Sequence, residues 1–82
     1  MAAFYFLSHD LDGDFVNEEP YQFNDLIGAI EAAKSALAEM AADGIPLQNG
    51  GVMSIEVQNE GRVTVAHLWL RFSIHFIQGV ST

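Results

Sequence analysis

Six potential ligands crowd into residues 9–19: His9, Asp10, Asp12, Asp14, Glu18 and Glu19. Oxygen donors on alternate positions of a tight turn suit a hard cation such as calcium or magnesium. Asp10, Asp12, Gly13 and Asp14 begin such a series. An EF-hand loop opening at Asp10 needs Gly where Phe15 stands and Glu where Tyr21 stands, so the match fails. A solvated hairpin turn, with Asp side chains hydrogen-bonding the nearby backbone, accounts for the same residues. That reading assigns no metal and keeps a small acidic-turn cation-binding domain as the alternative.

Other chemistries fare less well. His67 and His75 share one face of a strand but lie about 26 Å apart, so one chain cannot bring them to one metal. An antiparallel dimer could set His67 of one copy near His75 of the other. Ser8 adjoins His9, yet neighbours on a strand point to opposite faces. Ser73 and His75 share a face about 7 Å apart, with no acid to orient the base. Gly50-Gly51 precedes a strand rather than opening a helix, which excludes a phosphate loop. We therefore assign no catalytic residue, no cofactor and no metal ligand, and expect no enzyme.

The chain as a whole sets further bounds. Its 82 residues form one domain, spanning 1–82, and half of them are hydrophobic. A domain this small leaves much of its surface exposed, so apolar patches must meet a partner. A second copy is the simplest one, and a homodimer is expected. There are no cysteines, hence no disulfides or thiolate metal sites, as suits a reducing compartment. The opening MAAFYFLSHD lacks the basic start and apolar run of a signal peptide. Arg71 and two histidines interrupt the most apolar window, so a membrane span is not expected and the location is cytoplasmic. Eleven acidic residues face Lys34, Arg62 and Arg71, for a net charge of −8. Scattered cations on an acidic chain predict no nucleic-acid binding and no adhesion to anionic membranes. The acidic excess serves solubility.

Now the elements. Ala3 to Ser8 is an aromatic run with both faces apolar, which marks a central or doubly covered strand. Asp12-Gly13 turns the chain into a return arm with Phe15, Val16, Tyr21 and Phe23, broken or at an edge because Pro20 lacks a donor. Asn24 or Asp25 caps a helix running to about Asp43. Leu26, Ile30, Ala33, Leu37, Met40 and Ala41 form its apolar stripe, and Gly44 and Pro46 stop it. Ile45 and Leu47 anchor a connection to a strand over Val52–Gln58. Asn59-Glu60-Gly61 then makes a hairpin loop with Gly61 in the left-handed position, setting Val57 opposite Val63 and Ile55 opposite Val65.

The last strand runs from Arg62 to Ile77. Ala66, Leu68, Leu70, Phe72, Ile74 and Phe76 alternate with His67, Trp69, Arg71, Ser73 and His75. Val63 and Val65 stand out of phase with that series, so a β-bulge or a change of environment falls near Val65-Ala66. The partner arm reaches only about Leu68. The far half needs Ala3–Ser8 or the same segment of a second chain.

These residues resemble a family of short bacterial proteins of unknown function. The likeness rests on Phe4-Tyr5-Phe6, Asp12-Gly13, Glu18-Glu19, Asp25-Leu26 with Ala29, Ala32 and Ala33, Ile55-Glu56-Val57, and Glu60-Gly61-Arg62-Val63. Pro20 replaces a Gly frequent there, and the apolar tail from Trp69 to Ile77 is longer. The resemblance implies no activity. The hairpin and Ala-rich helix also look like the start of HicB-type antitoxins, which bind a small basic toxin, although this chain lacks their DNA-binding tail.

The expected fold is α+β, β-β-α-β-β, with one helix on a four-stranded, mainly antiparallel sheet. The expected role is a small protein-interaction module. Its interface comprises Leu68, Trp69, Leu70, Arg71, Phe72, Ile74, His75 and Phe76. Trp69 beside Arg71 suits recognition, because both types are enriched at interface centres. If the face switches the other way, Trp69 is core beneath the helix instead.

Overall fold

Apolar residues that alternate, apolar residues that recur every three or four, and the Gly, Pro and Asp between them divide this chain into elements. A computed structural model describes residues 1–10, 13–44 and 51–78. The elements are β1 (Ala2–Asp10), β2 (Gly13–Val16), β3 (Tyr21–Phe23), α1 (Leu26–Asp43), β4 (Gly51–Gln58) and β5 (Thr64–Phe72). Every pairing is antiparallel, in the order β2-β1-β4-β5, with β3 paired to the start of β1. This is the expected α+β arrangement of one helix and an antiparallel sheet. It counts five strands because the second arm of the first hairpin is split in two.

The split has a local cause. Leu7 pairs with Val16, and that register continued would set Phe4 opposite Glu19. Phe4 pairs with Tyr21 instead, so two extra residues are accommodated around Pro20. The Phe6 N–H falls in the gap and donates to Asn17 Oδ1 at 2.8 Å. The Asn17 amide donates in turn to the Glu19 carbonyl. One side chain thus stands in for the missing strand. At the hairpin's tip Gly13 takes φ +128°, which only glycine tolerates well. Leu11 and Asp12 lie outside the described residues, as do Ile45 to Gly50.

Asp25 caps α1, its carboxylate accepting from the Gly28 N–H at 2.9 Å. Gly44 ends the helix, its N–H reaching the Ala41 carbonyl. Ala29 and Ala33 are fully buried, because small side chains let the helix approach the sheet closely. Beneath them lie Phe4 and Phe6 of β1 and Met53, Ile55 and Val57 of β4, with Leu37 completing the core. Burying Ile55 and Val57 completely contributes about 1.5–3 kcal/mol each. Phe6 sits 5.1 Å from the Tyr21 ring and 6.0 Å from Phe23, so the short β3 is held by aromatic packing.

The second hairpin departs from expectation in register. Val57 pairs with Ala66 and Ile55 with Leu68, not with Val63 and Val65. Gln58 pairs with Thr64, so Val65 is the extra residue of a bulge, where the change of phase placed one. The loop runs one residue later than expected. Asn59 N donates to the Val63 carbonyl and Arg62 N to the Asn59 carbonyl, both at 2.9 Å. Arg62, not Gly61, takes the left-handed conformation, with φ +62°. With three residues more offset, β4 reaches Phe72 rather than stopping near Leu68. The regular strand ends there, shorter than the expected run to Ile77, and β1 pairs with β4 rather than with β5.

Replacing Asn17 with Ala strands the partly buried Phe6 N–H, which costs about 1–3 kcal/mol. Asn17→Asp keeps the acceptor and loses less. Denaturant midpoints of the two variants check this ordering.

Candidate functional site

β5 is an edge of the sheet, and two environments meet along it. Ala66 and Leu68 pair with the buried Val57 and Ile55 and so face the helix, half-buried. Trp69 pairs with Ser54 on the opposite face, 65% exposed. The alternative of Trp69 as core beneath the helix is thereby set aside. Its ring lies 5.5 Å from His67, edge to face, on the side of the sheet away from the helix.

The predicted interface residues are divided by that geometry. Leu70 is exposed on the helix-facing side, with Phe72 half-buried beside it. Trp69 and Arg71 are exposed on the other side. Ile74, His75 and Phe76 lie beyond the last ladder pair, Gly51 with Phe72. Phe76 and Ile77 are exposed there at 65% and 71%. Between β5 and α1 runs an open groove of about 470 Å³, lined by Lys34, Leu37 and Ala38 against His67, Leu68, Trp69 and Leu70.

On the open face lies a constellation with the look of chemistry. His9 Nδ1 is 2.7 Å from Asp14 Oδ1, and Nε2 is 2.8 Å from Glu56 Oε2. Glu56 Oε1 accepts from Thr64 Oγ1 at 2.9 Å. The chain of contacts Asp14–His9–Glu56–Thr64 therefore crosses β2, β1, β4 and β5. Only the imidazolium donates from both nitrogens. The hydrogen bond to Glu56, then that to Asp14, raises the His9 pKa above its usual 6.5. The bond from His9, then that from Thr64, lowers Glu56 below 4.5. As an imidazolium, His9 has both ring nitrogens engaged by these carboxylates. The second carboxylate occupies the place a nucleophilic hydroxyl would take in a triad. Ser8 pairs with Ile55 on the helix side, away from His9.

Asp14 thus turns to His9 rather than toward a cation in the turn. Among the described residues, no three His, Asp or Glu side chains are placed to share an ion. Arg62 lays its guanidinium 3.7 Å from the Tyr5 ring centre and reaches the Glu18 carbonyl. That contact accompanies its left-handed backbone, a conformation that costs a non-glycine residue about 1–2 kcal/mol. The partnership of His9 with Glu56 was not anticipated. The two lie 47 residues apart, and only the pairing of β1 with β4 brings them together.

Comparison with known proteins bears on this arrangement. A family model described as a domain of unknown function, DUF6894, matches residues 3–73. The chain belongs to this family. The DUF6894 match takes in the aromatic strand, the Ala-rich helix and the second hairpin, which carried the resemblance noted above, and ends at Ser73. Neither the curated proteins nor the solved structures contain a match. Among the described residues no helix is long and apolar enough to cross a membrane.

The clamp predicts a pH dependence. His9 has a raised folded-state pKa, so its contribution is complete below 6.5 and fades as pH rises through that higher value. Glu56 has a lowered one, so its contribution is complete above 4.5 and fades as pH falls through the lower value. Both contribute fully between about pH 4.5 and 6.5. Subtracting the stability of a His9→Gln variant from that of the native chain should give a difference greatest in that window. With Asp14 67% exposed, the ion pair it forms adds at most about 1 kcal/mol. A difference that is flat with pH contradicts the clamp.

Proposed function

We propose that this domain is a small, non-catalytic protein-interaction module that forms a homodimer through the β5 surface. The observation that carries this reading is the contrast between the two edges of the sheet. At the β2 side the edge is short and charged. β2 has four residues and β3 three, and Pro20, Glu18 and Glu19 separate them. Natural sheets discourage edge-to-edge association by such means. β5 has nine residues, no Pro, and Arg71 as its single Lys or Arg. It exposes Trp69 and Leu70, and Phe76 and Ile77 extend the apolar surface. A long edge left open while its counterpart is blunted is suited to being covered.

Charge supports the same surface. All eleven acidic residues precede Gly61, and none follows. Two copies meeting through β5 therefore bring together strands that carry no acidic residue of their own. A protein surface fits this edge better than nucleic acid or an anionic membrane, since Arg71 is its one fixed positive charge. Tyr5, Leu7 and Trp69 on the open face offer further contact area, and the cytoplasm is the setting we favour.

Sedimentation equilibrium tests the reading. The native chain should run as a dimer at micromolar concentration. Leu70→Asp should weaken association by at least about tenfold, the scale of a central contact. Because Leu70 is 43% exposed, the monomer should keep its fold, which circular dichroism reports. A native chain that stays monomeric at every practical concentration overturns the proposal.

A further inference from the structure

We infer that the groove between α1 and β5 is filled by a second copy, whose β5 pairs antiparallel with this one about a two-fold axis at Leu70. The two sheets then become one continuous sheet. This rests on the dimer proposed above and adds its symmetry, its register and the side chains that meet.

Symmetry narrows the registers. In an antiparallel pair, directly opposed residues point to the same face. A two-fold pairing of β5 with itself therefore sets a residue, not a peptide bond, on the axis. Length then chooses which one. Beyond the bulge at Val65 the regular alternation begins at Ala66, and its half-buried apolar positions end at Ile74. Pairing over that span sets Ala66 opposite the second copy's Ile74 and places the axis at the midpoint, Leu70.

Side-chain chemistry agrees on both faces. Toward the helix, Leu70 meets the second copy's Leu70, Leu68 meets its Phe72, and Ala66 meets its Ile74. All these contacts are apolar, and the incoming side chains lie along the groove beside Leu37 and Ala38. Lys34, held by Glu31 at 3.2 Å, keeps its charge at the rim. On the open face, Trp69 meets the second copy's Arg71, and a guanidinium over an indole is a favourable pair. An axis at Arg71 would set two guanidiniums against each other, and an axis at Trp69 would leave each Arg71 beside His67. Leu70 on the axis avoids both.

The absence of native cysteines makes the test direct. Opposed antiparallel residues have Cα atoms about 4.5–5.5 Å apart, within disulfide reach. Leu70→Cys should cross-link to itself under mild oxidation. Trp69→Cys and Arg71→Cys should each fail alone and cross-link when mixed. Amide exchange should slow across residues 66–74 as the native protein passes from monomer to dimer. A dimer in which Trp69→Cys or Arg71→Cys links to itself overturns the register and leaves the β5 dimer standing. A dimer with none of these cross-links and no slowed exchange overturns the continuous sheet, leaving β5 surfaces packed face to face. A monomer at all concentrations overturns this inference and the proposed dimer together.

Discussion

The bulge at Val65 is the constraint on which the rest of the sheet depends. Side chains on a strand alternate, so a shift of one residue would exchange every inward group of β5 for an outward one. Without the extra residue, the register set at Gln58 and Thr64 would carry Val65 and His67 toward the helix and turn Ala66 and Leu68 to solvent. With it, Ala66 and Leu68 meet Val57 and Ile55 in the core, and His67, Trp69 and Arg71 are placed together outside. The aromatic and cationic character of the open face and the apolar character of the groove are both results of that single insertion. The left-handed Arg62 three residues earlier belongs to the same device, since the loop must close before the bulge resets the phase.

Much of this was readable from residue order, for definite reasons. The helix announced itself through a cap, a period and a stop, each of which is local in sequence. The bulge was legible because Val63 and Val65 break parity with Ala66 onward. The loop was misplaced by one residue because Gly61 is the better left-handed former by intrinsic preference. The register that the core requires, together with the Arg62–Tyr5 contact, overrides that preference. An error of one residue in the loop shifts the pairing by two, the bulge adds a third, and together they made β4 look too short to accompany β5.

The His9 clamp was illegible for a different reason. Its members were visible as types, and His9 and Asp14 were even noticed as neighbours in a cluster. Their chemistry was set by Glu56, which approaches only because β4 inserts between β1 and β5. Sequence spacing carries no sign of that insertion. An acidic cluster that looked like a cation loop is thus partly consumed in holding three strands together, through the contacts of His9 with Asp14 and Glu56.

The position of the helix closes the argument. Its buried residues, Ala29, Ala33 and Leu37, follow one stripe over β4, with β5 on one side and β1 and β3 on the other, and small side chains let α1 settle deeply there. A single helix cannot cover a sheet of this width, so the outer strand is roofed only in part and a groove is left at its side. Shifting α1 toward β5 would close the groove but uncover Phe4 and Phe6, the larger aromatic surface. The central strands take the helix because they carry the buried core residues, which leaves β5 covered only in part.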